Sequence, residues 1–238
     1  MKSISRRSFV TSAVAGAAAL SAIGPLSNVA DAQLVATTKD WNLTDFDRLA
    51  KNPARVKQVY DISAIGGGKF LNNIKNSLNG LHFGFGIPDD QIKVVAALHG
   101  GANMLNFDDY IWDKYKIGAW LNVEDPATGK PATRNPFYPS KGGTAMHYPS
   151  QNPDSEHSIY QDTSIAVLQH RGVKFLSCHT ASEEQARKLI PHNHLSVQPE
   201  EVVKDMLAHT LPGVLVVAAM VAAIALLQTD GHYTYITV

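Results

Sequence analysis

The sequence predicts an open, mostly parallel α/β sheet with helices on both faces. Three observations carry this expectation. Apolar, β-branched runs of strand length recur along the chain, the segments between them place apolar residues at helical spacing, and Gly or Pro marks the junctions.

The elements follow in order. Residues 33–53 read as an extension containing a short helix over 44–51, capped by Asn42 or Thr44 and stopped by Pro53. From residue 54 onward an α/β domain is expected to run to residue 238. Val56–Ile62 alternates apolar and polar residues and reads as the first strand. Gly66, Gly67 and Gly68 end it and match no phosphate-binding motif, so they read as a turn. Phe70, Leu71, Ile74, Leu78 and Leu81 then predict a helix. Ile92–Leu98 is nearly continuous in apolar character, as a buried parallel strand should be, and ends at His99-Gly100-Gly101. A helix is expected over 106–115. Residues 118–154 hold six prolines and four glycines and read as a loop inserted over one face. Helix resumes over 162–170, Gly172 closes it, and 173–176 forms the third strand. Ser182 and Gln185 have the spacing of a capping box that opens the next helix. Pro199 opens another, which runs to about His209.

Residues 211–227 are free of charge and sit at the short limit of a membrane span. Their alanines weaken the hydrophobicity, and the alternating tail over 233–238 needs a sheet to join. The expected reading is therefore a strand over 213–217, a helix over 218–228 and a closing strand, with no membrane span in the mature chain. The order as a whole points to a flavodoxin-like or Rossmann-like sheet.

Charge and cysteine content narrow the function. The chain has 238 residues, with 21 Lys and Arg against 21 Asp and Glu. That balance argues against nucleic acid as a partner, since such binders carry a basic excess. Cys178 is the only cysteine, which excludes an internal disulfide framework and CxxC redox chemistry. Residues 1–32 read as a twin-arginine export signal. Ser5-Arg6-Arg7-Ser8-Phe9-Val10 precedes an apolar, Ala-rich stretch, and Ala30-Asp31-Ala32 supplies a cleavage point. Loss of this segment leaves 18 basic and 20 acidic residues. The expected location is the periplasm, an oxidising compartment in which a lone thiol needs a reason.

Candidate chemistry gathers at the carboxyl ends of strands, where open α/β sheets bind ligands. Cys178 falls just beyond the third strand and close to the helix opened by Ser182, so the helix terminus is expected to lower its pKa. The residue reads either as a reactive thiol or as a small buried one. His99 ends the second strand at the same edge, and His179 follows the cysteine. His99, Cys178 and His179 can therefore serve as a thiolate with assisting imidazoles, or as a site for copper or zinc. His192 and His194 form a weaker H-x-H pair, while His147 and His157 flank the insertion. The aromatic residues from Phe107 to Tyr138 either wall a pocket, form a subunit contact or anchor the loop.

Residues 166–178, a helix, Gly172-Val173, a strand and then Cys178, resemble a segment of the DsrE/DsrF-like sulfur-trafficking proteins. The ending Leu227-Gln228-Thr229-Asp230-Gly231-His232-Tyr233 is similar to that family's closing helix and turn, and residues 94–100 resemble its second strand. The resemblance covers residues 56–238 apart from the insertion. It implies a homo-oligomer in which Cys178 carries sulfane sulfur between a donor and an acceptor protein, with His99 and His179 assisting. Three features depart from the family: the export signal, the insertion, and His-Thr-Ala-Ser after Cys178. The second hypothesis is a periplasmic metal- or cofactor-binding module, and the third a structural subunit with an inert cysteine. Catalytic turnover and stoichiometric carriage both fit the sequence.

Overall fold

Five parallel strands form a single sheet in the order β4-β3-β2-β1-β5. The fold comes from a computed structural model that describes residues 40–143 and 145–238. The expected export signal lies outside the described residues. The strands are β1 (Val56–Ile62), β2 (Ile92–Leu98), β3 (Lys174–Cys178), β4 (Leu215–Val217) and β5 (Thr234–Thr237). The helices are α1 (Leu43–Ala50), α2 (Lys69–Asn79), α3 (Asp109–Lys114), α4 (Ile117–Leu121), α5 (Ile165–His170), α6 (His179–His192), α7 (Pro199–Ala208) and α8 (Met220–Thr229).

Strand alternation divides the core into two layers. Tyr60, Ile62, Val94, Ala96, Leu98 and Phe175 face one side, where they meet apolar residues of α2, α3, α5, α6 and α7. Val59, Val95, Ala97, Leu176, Cys178 and Val217 face the other, where Phe46 and Leu49 of α1 and Met220, Ile224 and Leu227 of α8 cover them. Chain direction explains the division. From β1 to β4 each crossover steps the same way across the sheet, and right-handed connections keep those helices on one face. The step from β4 to β5 returns to the opposite edge, so α8 covers the other face. The extension helix α1 joins this second layer, and the Tyr233 hydroxyl donates to Leu49 O at 2.8 Å.

Several expectations are corrected in detail. The third strand continues through Cys178, and α6 begins at His179 with Cys178 itself as its cap. Ser182 therefore does not cap the helix but lies fully buried inside it. Its hydroxyl donates to Cys178 O at 3.1 Å. The helix expected over 106–115 shortens to α3, because a 3-10 segment, Gly100–Asn106, fills the stretch after β2. Inside the expected insertion, α4 forms between Lys116 and Asn122, both in the left-handed region. The insertion is tied down tightly, since a Cβ on Gly118 would lie 2.3 Å from Ala132 O. Phe107 and Trp112 are fully buried, and Phe137 and Tyr138 pack against the same cluster, so these aromatic residues anchor the loop. The charge-free stretch divides between β4 and α8, and no helix among the described residues is long and apolar enough to cross a membrane.

Candidate functional site

Helices that follow adjacent strands diverge to opposite faces at one place in this sheet, between β3 and β4. The chain leaves β3 into α6 on one face and leaves β4, by way of Ala218 and Ala219, into α8 on the other. Divergence of this kind opens a crevice at the carboxyl edge. Cys178 pairs with Val217 at that point.

The geometry around the sulfur is specific. Sγ accepts the backbone N–H of Ala181 at 3.4 Å and that of Met220 at 3.3 Å. One donor belongs to the first turn of α6 and the other to the first residue of α8. Two helix N-termini from opposite layers thus converge on one atom, each bringing partial positive charge. The thiol is nevertheless buried, at 4% exposure. Burial pushes its pKa up, and the N–H donors of Ala181 and Met220 offset this only in part. The expected lowering of the thiol pKa is therefore corrected: a low-dielectric setting penalises the anion by more than two N–H groups recover.

A buried amide network sets the position of Cys178. Asn103 Oδ1 accepts the Cys178 N–H at 2.9 Å and the Ser177 hydroxyl at 3.0 Å. Its Nδ2 donates to the Ser182 hydroxyl at 3.0 Å, and Asn106 Nδ2 donates to Leu176 O at 3.1 Å. Gln185 completes the set through a hydrogen bond to Gly100 O. These asparagines lie in the 3-10 segment after β2, a stretch that offers no regular period to read. Their signal in the sequence is two Asn three residues apart among apolar neighbours.

His99 and His179 take different partners. His99 Nε2 lies 2.7 Å from Asp61 Oδ1, and the Tyr235 hydroxyl donates to Asp61 Oδ2 at 2.6 Å. His179 packs edge-on against Trp41 with ring centroids 5.0 Å apart, while its Nδ1 lies 3.6 Å from Glu183 Oε1. Strand alternation puts His99 on the same face and edge as Cys178, but the side chains of His99, Cys178 and His179 do not converge. Among the described residues no group of three or more His, Cys, Asp and Glu is arranged to hold a metal ion. His192, His194, His147 and His157 are exposed. Asp61 and Tyr235 escaped the sequence reading because each sits where an alternating strand expects a polar residue. An aspartate inside a strand is unfavourable, and that was the available signal.

An apolar groove of about 120 Å³ opens beside this edge, lined by Trp41, Phe46, Val217, Ala218, Ala219 and Ala223 among others. No family model, curated protein or solved structure matches the chain.

Proposed function

We propose that the protein handles sulfur, holding sulfane sulfur on Cys178 as a hydrodisulfide. One observation carries the reading: backbone N–H groups from two helix N-termini meet on Sγ at the crevice of the sheet. A hydrodisulfide is more acidic than its parent thiol and carries its charge on the outer sulfur, one bond beyond the Sγ that these donors meet, where the positive ends of the same two helices favour the anion. Loading balances as a thiol exchange. Sγ attacks the terminal sulfur of a donor R–S–SH, the new S–S bond forms on Cys178, and R–S leaves as the thiolate.

The resemblance to DsrE/DsrF-like proteins supports the same reading, and the twin-arginine pattern supports a periplasmic setting for it. A homo-oligomer with exchange partners fits the outer side of α8, where Val221 and Leu226 are exposed. Burial of Cys178 favours a second reading, in which the residue is only the apolar cap of α6. Treatment with inorganic polysulfide separates the two. The sulfur reading predicts a mass gain of ~32 Da, removed by reductant and absent from Cys178→Ser. A wild-type protein that gains nothing would leave only the structural cap.

A further inference from the structure

We propose that the amino edge of the sheet, at the opposite end of the strands from the Cys178 crevice, binds a small doubly charged oxyanion of the phosphate or sulfate class between Lys93 and Lys174. Strand alternation places three lysines on one face there. Lys57 shares its face of β1 with Val59, Lys93 its face of β2 with Val95 and Ala97, and Lys174 its face of β3 with Leu176 and Cys178. Those apolar residues belong to the layer that α1 and α8 cover. Lys57 and Lys93 pair directly across β1 and β2, while Lys174 pairs with Val95, one diagonal step from Lys93. Like charges in such neighbouring positions repel.

No carboxylate neutralises the row. Among the described residues none of the three lysines makes an ion pair, and each ammonium donates to a backbone carbonyl instead. Lys57 Nζ reaches Asn52 O at 3.2 Å, Lys93 Nζ reaches Gly172 O at 2.7 Å, and Lys174 Nζ reaches Gly213 O at 2.6 Å. An ammonium has three donors, so two remain on each after that bond. Burial pushes the pKa values of Lys93 and Lys174 down, and the charge of Lys174 adds to the effect at Lys93. Asp45 acts on Lys174 through space, but its own oxygens are taken by Arg48 and Asn42, both at 2.6 Å. Two half-buried cations therefore lie close together with spare donors and no counter-ion.

Space for the counter-ion is present. A cleft of about 320 Å³ beside α1 is lined by Asp45, Arg48, Leu49, Asn52, Lys93 and Lys174. Its three cations against one carboxylate leave an excess of two positive charges, which matches a dianion. Asn52 uses Oδ1 to accept the Ala54 N–H at 3.0 Å, so its amide nitrogen remains a donor. A second cleft, of about 410 Å³, shares Lys93 and Lys174 and is bordered by Gly172 and Gly213, whose carbonyls hold the two ammonium groups. Charge-assisted N–H donors of this kind are the strong contacts of an oxyanion. A purely structural role, in which the lysines tie two turns to the sheet, needs the carbonyl bonds alone and predicts no anion uptake.

The test is isothermal titration calorimetry of the intact protein with inorganic phosphate, at mildly alkaline pH and at an ionic strength held constant with sodium chloride. Direct binding is measured because phosphate and sulfate raise the melting temperature of proteins in general through exclusion from the surface. The wild type should take up one phosphate per chain with saturation, and sulfate should compete for the site. Acetate, with one charge, should bind about ten-fold more weakly or worse. Lys93→Gln and Lys174→Gln should each weaken phosphate binding about ten-fold, the loss of one charge-assisted hydrogen bond. Lys93→Arg, which keeps the charge, should retain saturable uptake, and Lys204→Gln, at an exposed position of α7, should bind as the wild type does. Absence of saturable binding in the wild type overturns the assignment whether or not the variants fold. Binding unaltered in folded glutamine variants also overturns it, and acetate binding as tightly as phosphate overturns the dianion class. None of these outcomes depends on the sulfur-handling reading, because the cleft contains no part of the Cys178 site.

Discussion

Asn103 Oδ1 accepts the backbone N–H of Cys178 at 2.9 Å, so a fully buried amide after β2 holds the residue that ends β3 and caps α6. The same oxygen accepts the Ser177 hydroxyl. Asn103→Ala removes that acceptor and leaves two buried donors unpaired. The expected loss is about 2–4 kcal/mol, read from the urea midpoint at unchanged slope. A loss of a few tenths would show that the network does not hold the strand end.

The insertion is anchored by contact as well as by aromatic burial. A Cβ on Gly118 would meet the Ala132 backbone oxygen at 2.3 Å and nitrogen at 2.4 Å. Neither can yield as a flexible side chain would, so Gly118→Ala should cost about 1–3 kcal/mol. Gly67→Ala is the matched comparison. It meets no atom within 4 Å and bears only the strain of φ +63°, so its cost should be about 1 kcal/mol. Calorimetry of the two variants should rank them in that order.

Asp162 ties the insertion to the start of α5. Burial alone would raise its pKa, but hydrogen bonds from the Tyr148 hydroxyl and from the backbone N–H groups of Ser164 and Lys141 outweigh burial and hold it below the usual value. A depressed carboxylate stabilises the fold above the unfolded pKa, about 3.9, and that contribution disappears as pH falls through the folded value. Asp162→Asn should therefore be less stable than wild type at neutral pH. The difference should shrink below about pH 4, as urea midpoints across pH would show. A constant difference would contradict this.

Cys178 behaves in the opposite sense. Burial pushes its thiol up, so the fold disfavours the thiolate. Its contribution is intact below the unfolded thiol pKa of about 8.5 and is lost as pH rises from there through the folded value. The wild type should lose stability relative to Cys178→Ser across that range. The serine variant should itself fold, because a hydroxyl caps a helix at least as well as sulfur. Equal alkaline profiles for the two proteins would show that the thiolate carries no burial penalty.

The central strands were legible because their residues leave little choice. Val56–Ile62 and Ile92–Leu98 form strands over the limits that their apolar pattern predicts. The start of α6 was not legible, because Ser182 with Gln185 looks like a cap while cysteine is a rare one. Only the tertiary setting shows that β3 runs on to residue 178 and that the helix begins at once. The carboxyl-edge position of Cys178 and His99 followed from the order of elements. The meeting of Asp61 and Tyr235 with His99 did not, because contacts across three strands depend on register, which local periodicity does not contain. The helix α4 was hidden by the surrounding Pro and Gly, its limits being set by left-handed residues at Lys116 and Asn122.

The central claim is that Cys178 carries sulfur, and the most direct test is the intact mass of the protein isolated from its own cells without reductant, before and after alkylation. The account predicts a species ~32 Da heavier than the thiol form, lost on reduction and assigned to Cys178. An unmodified thiol that resists alkylation in the native protein would contradict it and leave Cys178 as a buried cap between two helices.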